Sequence, residues 1–225
     1  MIICPLHQEE CIKFIVPRPK TVLIMAPSEA KQSDRCREII KTASKILWTK
    51  KFSSVQGATL IRYGDYFCSI CQAIQSCAFG LAIVEEGIPE KTLGNIYFET
   101  GLMQGFGKPV ILLLDKRSGL PSDFIRNYSI FFGKKEYSTK FRELVETIME
   151  LADYYSSDLA DYALKAQDYE KAARYYRESY LIGKKIRTKH QISELISVMK
   201  KEKSIPYGYK KRLLEDTEKF YRRIN

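Results

Sequence analysis

The sequence predicts an α/β fold, a flavodoxin- or Rossmann-like, mainly parallel sheet with helices on both faces, followed by a small all-α module. Three observations carry this reading. From Thr21 to about Tyr155, short apolar runs of strand length alternate with stretches whose apolar residues recur at helical spacing, the pattern of α/β layers. The runs Phe79–Val84 and Val110–Leu114 are apolar throughout, as strands covered on both faces are. Beyond Tyr155 no strand-like run occurs.

The first strand is Thr21–Ala26, stopped by Pro27-Ser28. After it Cys36, Ile39, Ile40, Ala43, Ile46 and Leu47 recur at helical spacing. Ala58–Tyr63 is the expected second strand, and a helix from about Asp65 to Cys77 turns Phe67, Ile70, Cys71 and Ile74 inward. Phe79–Val84 is the third strand. A loop, a helix over Ile96–Phe106 and the strand Val110–Leu114 follow, then a turn around Ser118–Pro121, a short strand near Tyr128–Phe132 and a closing helix near Ser138–Tyr155. Asp158–Gly183 reads as two helices with a break at Gln167-Asp168. Within it, Ala163–Leu181 resembles one tetratricopeptide repeat. A single such unit cannot bury its own face, and with no second copy in the sequence it is expected to dock on the first domain or on another subunit. Two more helices, near Thr188–Lys201 and Tyr207–Arg223, are separated by Pro206. The expected division is an N-terminal extension over 1–20, an α/β domain over 21–155 and a helical module over 156–225.

Composition excludes several classes. In 225 residues, 45% hydrophobic, 12 Gly and 8 Pro leave no room for a disordered or collagen-like chain. No apolar run approaches the roughly 18 residues a membrane-spanning helix needs, and Met1–His7 lacks the features of a secretory signal. A cytoplasmic protein with no membrane association is expected. Six cysteines are too few for a disulfide scaffold and read as small buried hydrophobes. Alternatively, Cys4, His7 and Cys11 with the Cys68-Ser-Ile-Cys71 pair supply metal-ligand types. His7 and His190 are the only histidines, far apart in sequence, and no phosphate-loop or GxGxxG fingerprint follows the first strand. The net charge of +10 is concentrated in residues 183–225, where 13 Lys+Arg stand against 5 Asp+Glu. This basic tail reads either as attraction to nucleic acid or another anionic surface, or as a solvated helix face.

Ligands of open α/β sheets bind outside the carboxyl ends of the strands, so the loops after Ala26, Val84 and Leu114 qualify. The second is the richest, because Glu85, Glu86, Glu90 and Glu99 fall within fifteen residues. On a helix starting near Ile96, Glu99 shares a stripe with Leu102, Met103 and Phe106, where a carboxylate is costly without a reason. One reason is the helix N-terminus, which stabilises negative charge; the other is a reactive group set by partial burial. Gly101 and Gly105, one turn apart, are expected to pack the helix against the sheet. Lys108 is read as an exposed loop lysine or as a phosphate ligand.

Gly94-Asn-Ile-Tyr-Phe-Glu-Thr-Gly-Leu-Met-Gln-Gly-Phe-Gly-Lys-Pro-Val-Ile-Leu-Leu114, with the strand ending in Ala26-Pro27-Ser28, resembles the nucleoside 2-deoxyribosyltransferase-like group and the related TIR-like nucleotide-binding domains. The resemblance spans residues 21 to about 132. It implies a protein that binds a nucleotide or nucleoside and cleaves or transfers an N-glycosidic bond, with Glu99 stabilising or attacking the anomeric carbon. It further implies a second carboxylate in the upstream loop, Glu86 first, with Glu85 or Glu90 as substitutes. Ala26, Pro27, Ser28, Glu85, Asn95 and Met103 would line the substrate pocket. No cofactor is required, NAD being a candidate substrate, and a homo-oligomer is expected. Relatives that only bind nucleotides imply a second expectation, a non-catalytic sensor that signals through the helical module.

Overall fold

The computed structural model describes residues 15–57, 66–115, 128–133 and 136–225. The chain divides into two compact units. One spans residues 20–149, and the other holds residues 150–225 together with the described residues 15–19.

The first unit is an α/β fold built on five parallel strands, β1 (Thr21–Met25), β2 (Ser53–Gln56), β3 (Phe79–Val84), β4 (Val110–Leu114) and β5 (Ser129–Phe131). Their order is β2-β1-β3-β4-β5. The chain steps from β1 outward to β2, then returns to the other side of β1, so the switch point lies between β1 and β3. β1, β3 and β4 are buried along their whole length. Leu23, Met25, Ala82, Val84, Leu112 and Leu114 pack on one face with Ile70, Ile74, Ile96 and Met103, while Val22, Ile24, Leu81, Ile83, Ile111 and Leu113, which alternate with them, are equally buried. Because side chains alternate across a strand, both faces are covered. That is why these runs, after the opening Thr21, carry no polar residue.

β2 is a different kind of strand. Its Ser-Ser-Val-Gln sequence is half-exposed at the sheet edge, and its first pairing, Thr21 with Ser53, is supplemented by a hydroxyl–hydroxyl bond of 3.0 Å. The expected strand Ala58–Tyr63 lies outside the described residues, and the strand beside β1 comes earlier. The four helices are α1 (Asp34–Thr49), α2 (Tyr66–Ser76), α3 (Glu90–Gly105) and α4 (Tyr137–Asp153). α3 starts six residues before the expected Ile96, with Pro89 as N-cap and its carbonyl accepting from Thr92 and Leu93. Gly94 and Asn95, poor helix formers, hide this start in the sequence.

Gly80 shows how tightly α3 meets the sheet. A Cβ on Gly80 would lie 2.5 Å from the Met103 sulfur and 2.7 Å from Met25 Cε, and both methionines are fully buried. Gly80→Ala is therefore expected to lose about 1–3 kcal/mol of stability through overpacking, measured by urea denaturation; an unchanged midpoint would mean that the two methionines move aside freely.

In the second unit α4 continues without a break through a π-helical stretch, Tyr154–Leu159, into α5 (Ala160–Lys165). The separate helix start expected at Asp158 is thus absorbed into one helical run. Gln167, at φ 57°, ends it, and Asp168 caps α6 (Tyr169–Gly183) by accepting from the Lys171 amide at 3.1 Å. α7 (Ile186–Lys201) and α8 (Tyr207–Ile224) follow. Ala160, Ala163, Tyr169, Ala172, Ala173, Tyr176 and Tyr180 share one core with Ile192, Leu195, Ile196, Met199, Leu213 and Phe220. The apolar face of the repeat-like hairpin is therefore covered by α7 and α8 of its own module, not left for another domain or subunit. Tyr169, Tyr176 and Tyr180 are packing residues in this core, while Tyr154 and Tyr162 are exposed.

Candidate functional site

The carboxyl ends of the strands are assembled around the first turn of α1. Ser33 caps that helix, accepting from the Cys36 amide at 2.9 Å, and its hydroxyl donates to Glu85 Oε1 at 2.6 Å. Glu85, buried at the end of β3, is thereby held on the helix start. Two residues on, Arg35 reaches Asp115, buried at the end of β4, at 3.3 Å, and its guanidinium lies over the Phe132 ring. Gln32 Nε2 donates both to the Pro27 carbonyl at 2.8 Å and to Gln56 Oε1 at 3.0 Å, tying the loop after β1 to the end of β2. Short polar links from Gln32, Ser33 and Arg35 thus fix the ends of all four strands beside the switch point. Cys36, beneath them, is no nucleophile. Burial first, and then the Glu85 charge, push its thiol up to about 12.

α3 supplies the remaining carboxylate. Thr100 bonds back to the Ile96 carbonyl and touches the sulfur of Met25, the last residue of β1, while Met103 meets Gly80 near the start of β3. The helix therefore runs from the carboxyl to the amino edge of the sheet, and Glu99 is level with the strands' carboxyl ends. Its Oε2 lies 3.6 Å from the position a Cβ on Gly57, just past β2, would take. Asn95, Glu99 and Met103, spaced four apart on one side of α3, form a column from solvent to core: exposed, partly buried and fully buried. Burial alone raises the Glu99 carboxyl from 4.5 to about 7. Lying in the third turn, it is out of reach of the N-terminal dipole, which acts within the first turn. The buried stripe of α3 is Ile96, Thr100 and Met103, with Glu99 at its border rather than on it.

The other expected residues fall into three groups. Ala26 and Pro27 lie at the end of β1, beside Glu85 at the switch point, and Ser28 is exposed at the start of a 3-10 turn, Glu29–Lys31, with no capping bond from its side chain. Glu86 and Glu90 are exposed, Glu90 in the first turn of α3, and Asn95 lies exposed within the same helix. Met103 is core, enclosed by the sheet, and offers a ligand no surface. Lys108 is neither exposed nor near the carboxyl edge: it is buried and donates to the Cys77 carbonyl at 2.8 Å, before β4 begins. Cys68 and Cys71 are buried in α2, and Cys4, His7 and Cys11 lie outside the described residues. Gln32, Ser33, Arg35 and Asp115 were not singled out by the sequence reading. Only Asp115 carried a signal, as the first polar residue after a buried strand.

Gly101 and Gly105 do not pack on the sheet. Both are exposed, and a Cβ on either would meet nothing within 4 Å. Gly101→Ala is expected to stabilise the helix by about 0.5–1 kcal/mol, read as a higher thermal midpoint. A lower midpoint would show that this face is covered.

No family model matches the chain, and no curated protein matches it. No described helix is long and apolar enough to cross a membrane.

Proposed function

We propose that the first unit binds a nucleotide or nucleoside at the carboxyl edge of the sheet and cleaves or transfers its N-glycosidic bond, with Glu99 as the reacting carboxylate. The observation that carries this reading is the column Asn95–Glu99–Met103, which holds one carboxylate at the boundary between solvent and core, level with the strand ends. Breaking an N-glycosidic bond builds oxocarbenium character on the sugar, and a carboxylate beneath the ring stabilises it best where water is excluded. Glu85 is occupied by Ser33 and Asp115 by Arg35. They serve as the rigid rim of the site, and the exposed Ser28 and Asn95 are polar groups that can meet a sugar or phosphate.

The test is incubation of the protein with NAD and a panel of nucleosides and deoxynucleosides, with free base detected by chromatography, beside Glu99→Gln. Release by the wild type that disappears in the variant supports the reading and names the substrate. Silence across the panel, with nucleotide binding retained by both proteins, would replace it with a binding module that signals ligand occupancy.

A further inference from the structure

The outer side of α1 ends in a surface that core packing does not account for. Residues 39–57 contain Lys41, Lys45, Lys50 and Lys51 and no Asp or Glu. Trp48, the chain's one tryptophan, is 76% exposed in the same stretch, although tryptophan is on average a largely buried residue. At 100° per residue, Lys41, Lys45 and Trp48 fall within an arc of about 60°, opposite the buried Cys36, Ile39, Ala43, Ile46 and Leu47. Ser44, on the flank beside Trp48, meets Ser54 of β2 hydroxyl to hydroxyl at 3.2 Å, so this side of the helix is continuous with the exposed Ser53 and Ser54 of the sheet edge. Lys51 then closes the helix at φ 62°, its amide donating to the Trp48 carbonyl at 2.9 Å. That left-handed position is usually glycine, and here it holds an exposed lysine. Lys50 is paired with Glu146, but among the described residues the side chains of Lys41, Lys45 and Lys51 have no partner. The acids of this side lie at the other end of the helix, Asp34 paired with Arg37, and Glu38 a turn before Lys41. A helix C-terminus attracts cations of its own accord, yet that gives no reason for an exposed indole among them.

We propose that Trp48 with Lys41, Lys45 and Lys51 is a docking surface for single-stranded nucleic acid, in which an unpaired base stacks on the indole and the lysines meet the neighbouring phosphates. It is separate from the site around Glu99: α1 ends beside the amino end of β2, whereas Glu99 is level with the strands' carboxyl ends. Charge complementarity selects a polyanion. The ring narrows it to a single strand, because the bases of a duplex are stacked on one another and offer no free face. A membrane surface fits less well: an interfacial helix buries an apolar face in the lipid, and the apolar face of α1 is in the core. Every base has a flat face, so binding is tolerant of sequence.

The single tryptophan is its own reporter. Titrating the full chain at low salt with oligothymidylate, and with oligouridylate of the same length to tell DNA from RNA, is expected to quench most of the indole emission as bases stack on the ring. Affinity, followed by anisotropy of a labelled strand, is expected to fall with salt with a log–log slope of about −2, three phosphates at about 0.7 each. Trp48→Ala is expected to weaken binding at least about 5-fold, and Trp48→Phe to recover part of that loss. Lys41→Gln/Lys45→Gln/Lys51→Gln is expected to bring the slope close to zero. The control Lys201→Gln/Lys211→Gln/Lys219→Gln, the same charge change at exposed positions of the helical module, is expected to keep it. Circular dichroism checks that each variant is folded; if one is not, quenching of the wild type still decides. Unquenched emission, an equal loss in the control, or a duplex that binds as tightly as the single strand would overturn the proposal. So would emission that shifts to the blue with phosphatidylserine vesicles while single strands leave it unchanged.

Discussion

Replacing Glu99 with Gln is expected to abolish base release and, at pH 8, to make the protein more stable. The two effects have one physical origin. The folded structure takes the Glu99 carboxyl out of water and raises it from 4.5 to about 7, so between these values the folded state holds a proton that the unfolded chain has released. Stability therefore falls as pH rises through that window. The contribution is fully retained below about 4.5 and lost above about 7, where the charged form is buried at a cost of up to about 3 kcal/mol. Gln keeps the size and loses the charge. Urea denaturation at pH 5 and pH 8 should show the wild type losing more stability than the variant over that interval; parallel losses would mean that Glu99 is well solvated. The proposed catalysis would depend on the same proton. If the carboxylate stabilises the developing oxocarbenium, turnover rises with pH through about 7; a general acid would give the opposite slope. A residue that costs stability in its working state and is irreplaceable for the reaction is what a functional group at a solvent–core boundary looks like, whereas a structural carboxylate would lose stability on substitution.

What was legible in the sequence follows from how locally each feature is encoded. β1, β3 and β4 are central strands buried on both faces, so their burial is written as unbroken apolar runs, and their positions match those read from the sequence within a residue. β2 has no such run, because an edge strand with exposed Ser53 and Ser54 needs only backbone pairing. Glu99 stood out for being a carboxylate among apolar residues, yet the helix start at Glu90 changes the explanation. It removes the dipole and leaves burial as the only force on the group. The links that frame the site were invisible for a different reason. Gln32 with Gln56 and Ser33 with Glu85 are separated by 24 and 52 residues, and nothing in a polar residue's own neighbourhood says which distant strand end it will meet. The repeat-like hairpin was recognisable from Ala163–Leu181, but what covers it was not, because α7 and α8 bury it with a pattern unlike the first pair.

Ser33 concentrates two of these links in one hydroxyl, and Ser33→Ala is expected to cost about 2–5 kcal/mol. Part of this is the cap, since the Cys36 amide loses its acceptor, worth about 0.5–2 kcal/mol. The rest is the donor to Glu85, whose buried carboxylate is left with a hydrogen bond unmade, worth about 1.5–3 kcal/mol for a charged partner. The two parts separate by choice of side chain. Ser33→Thr keeps both and should be near neutral. Ser33→Asp keeps the cap but, when ionised, cannot donate and sets a second negative charge against Glu85, so it should be the least stable of the three at neutral pH and recover as pH falls and one carboxyl takes up a proton. If Ser33→Asp is as stable as Ser33→Thr at pH 7, the bond to Glu85 contributes nothing and the cap alone matters. The same series separates Glu85 from Glu99 in function. Glu85 braces α1 against the end of β3, so, under the proposed function, loosening it should raise KM for whatever nucleotide or nucleoside the panel identifies while sparing kcat, because the carboxylate proposed to meet the sugar is on α3 and is held there by contacts with β1 and β3 that Ser33 does not touch.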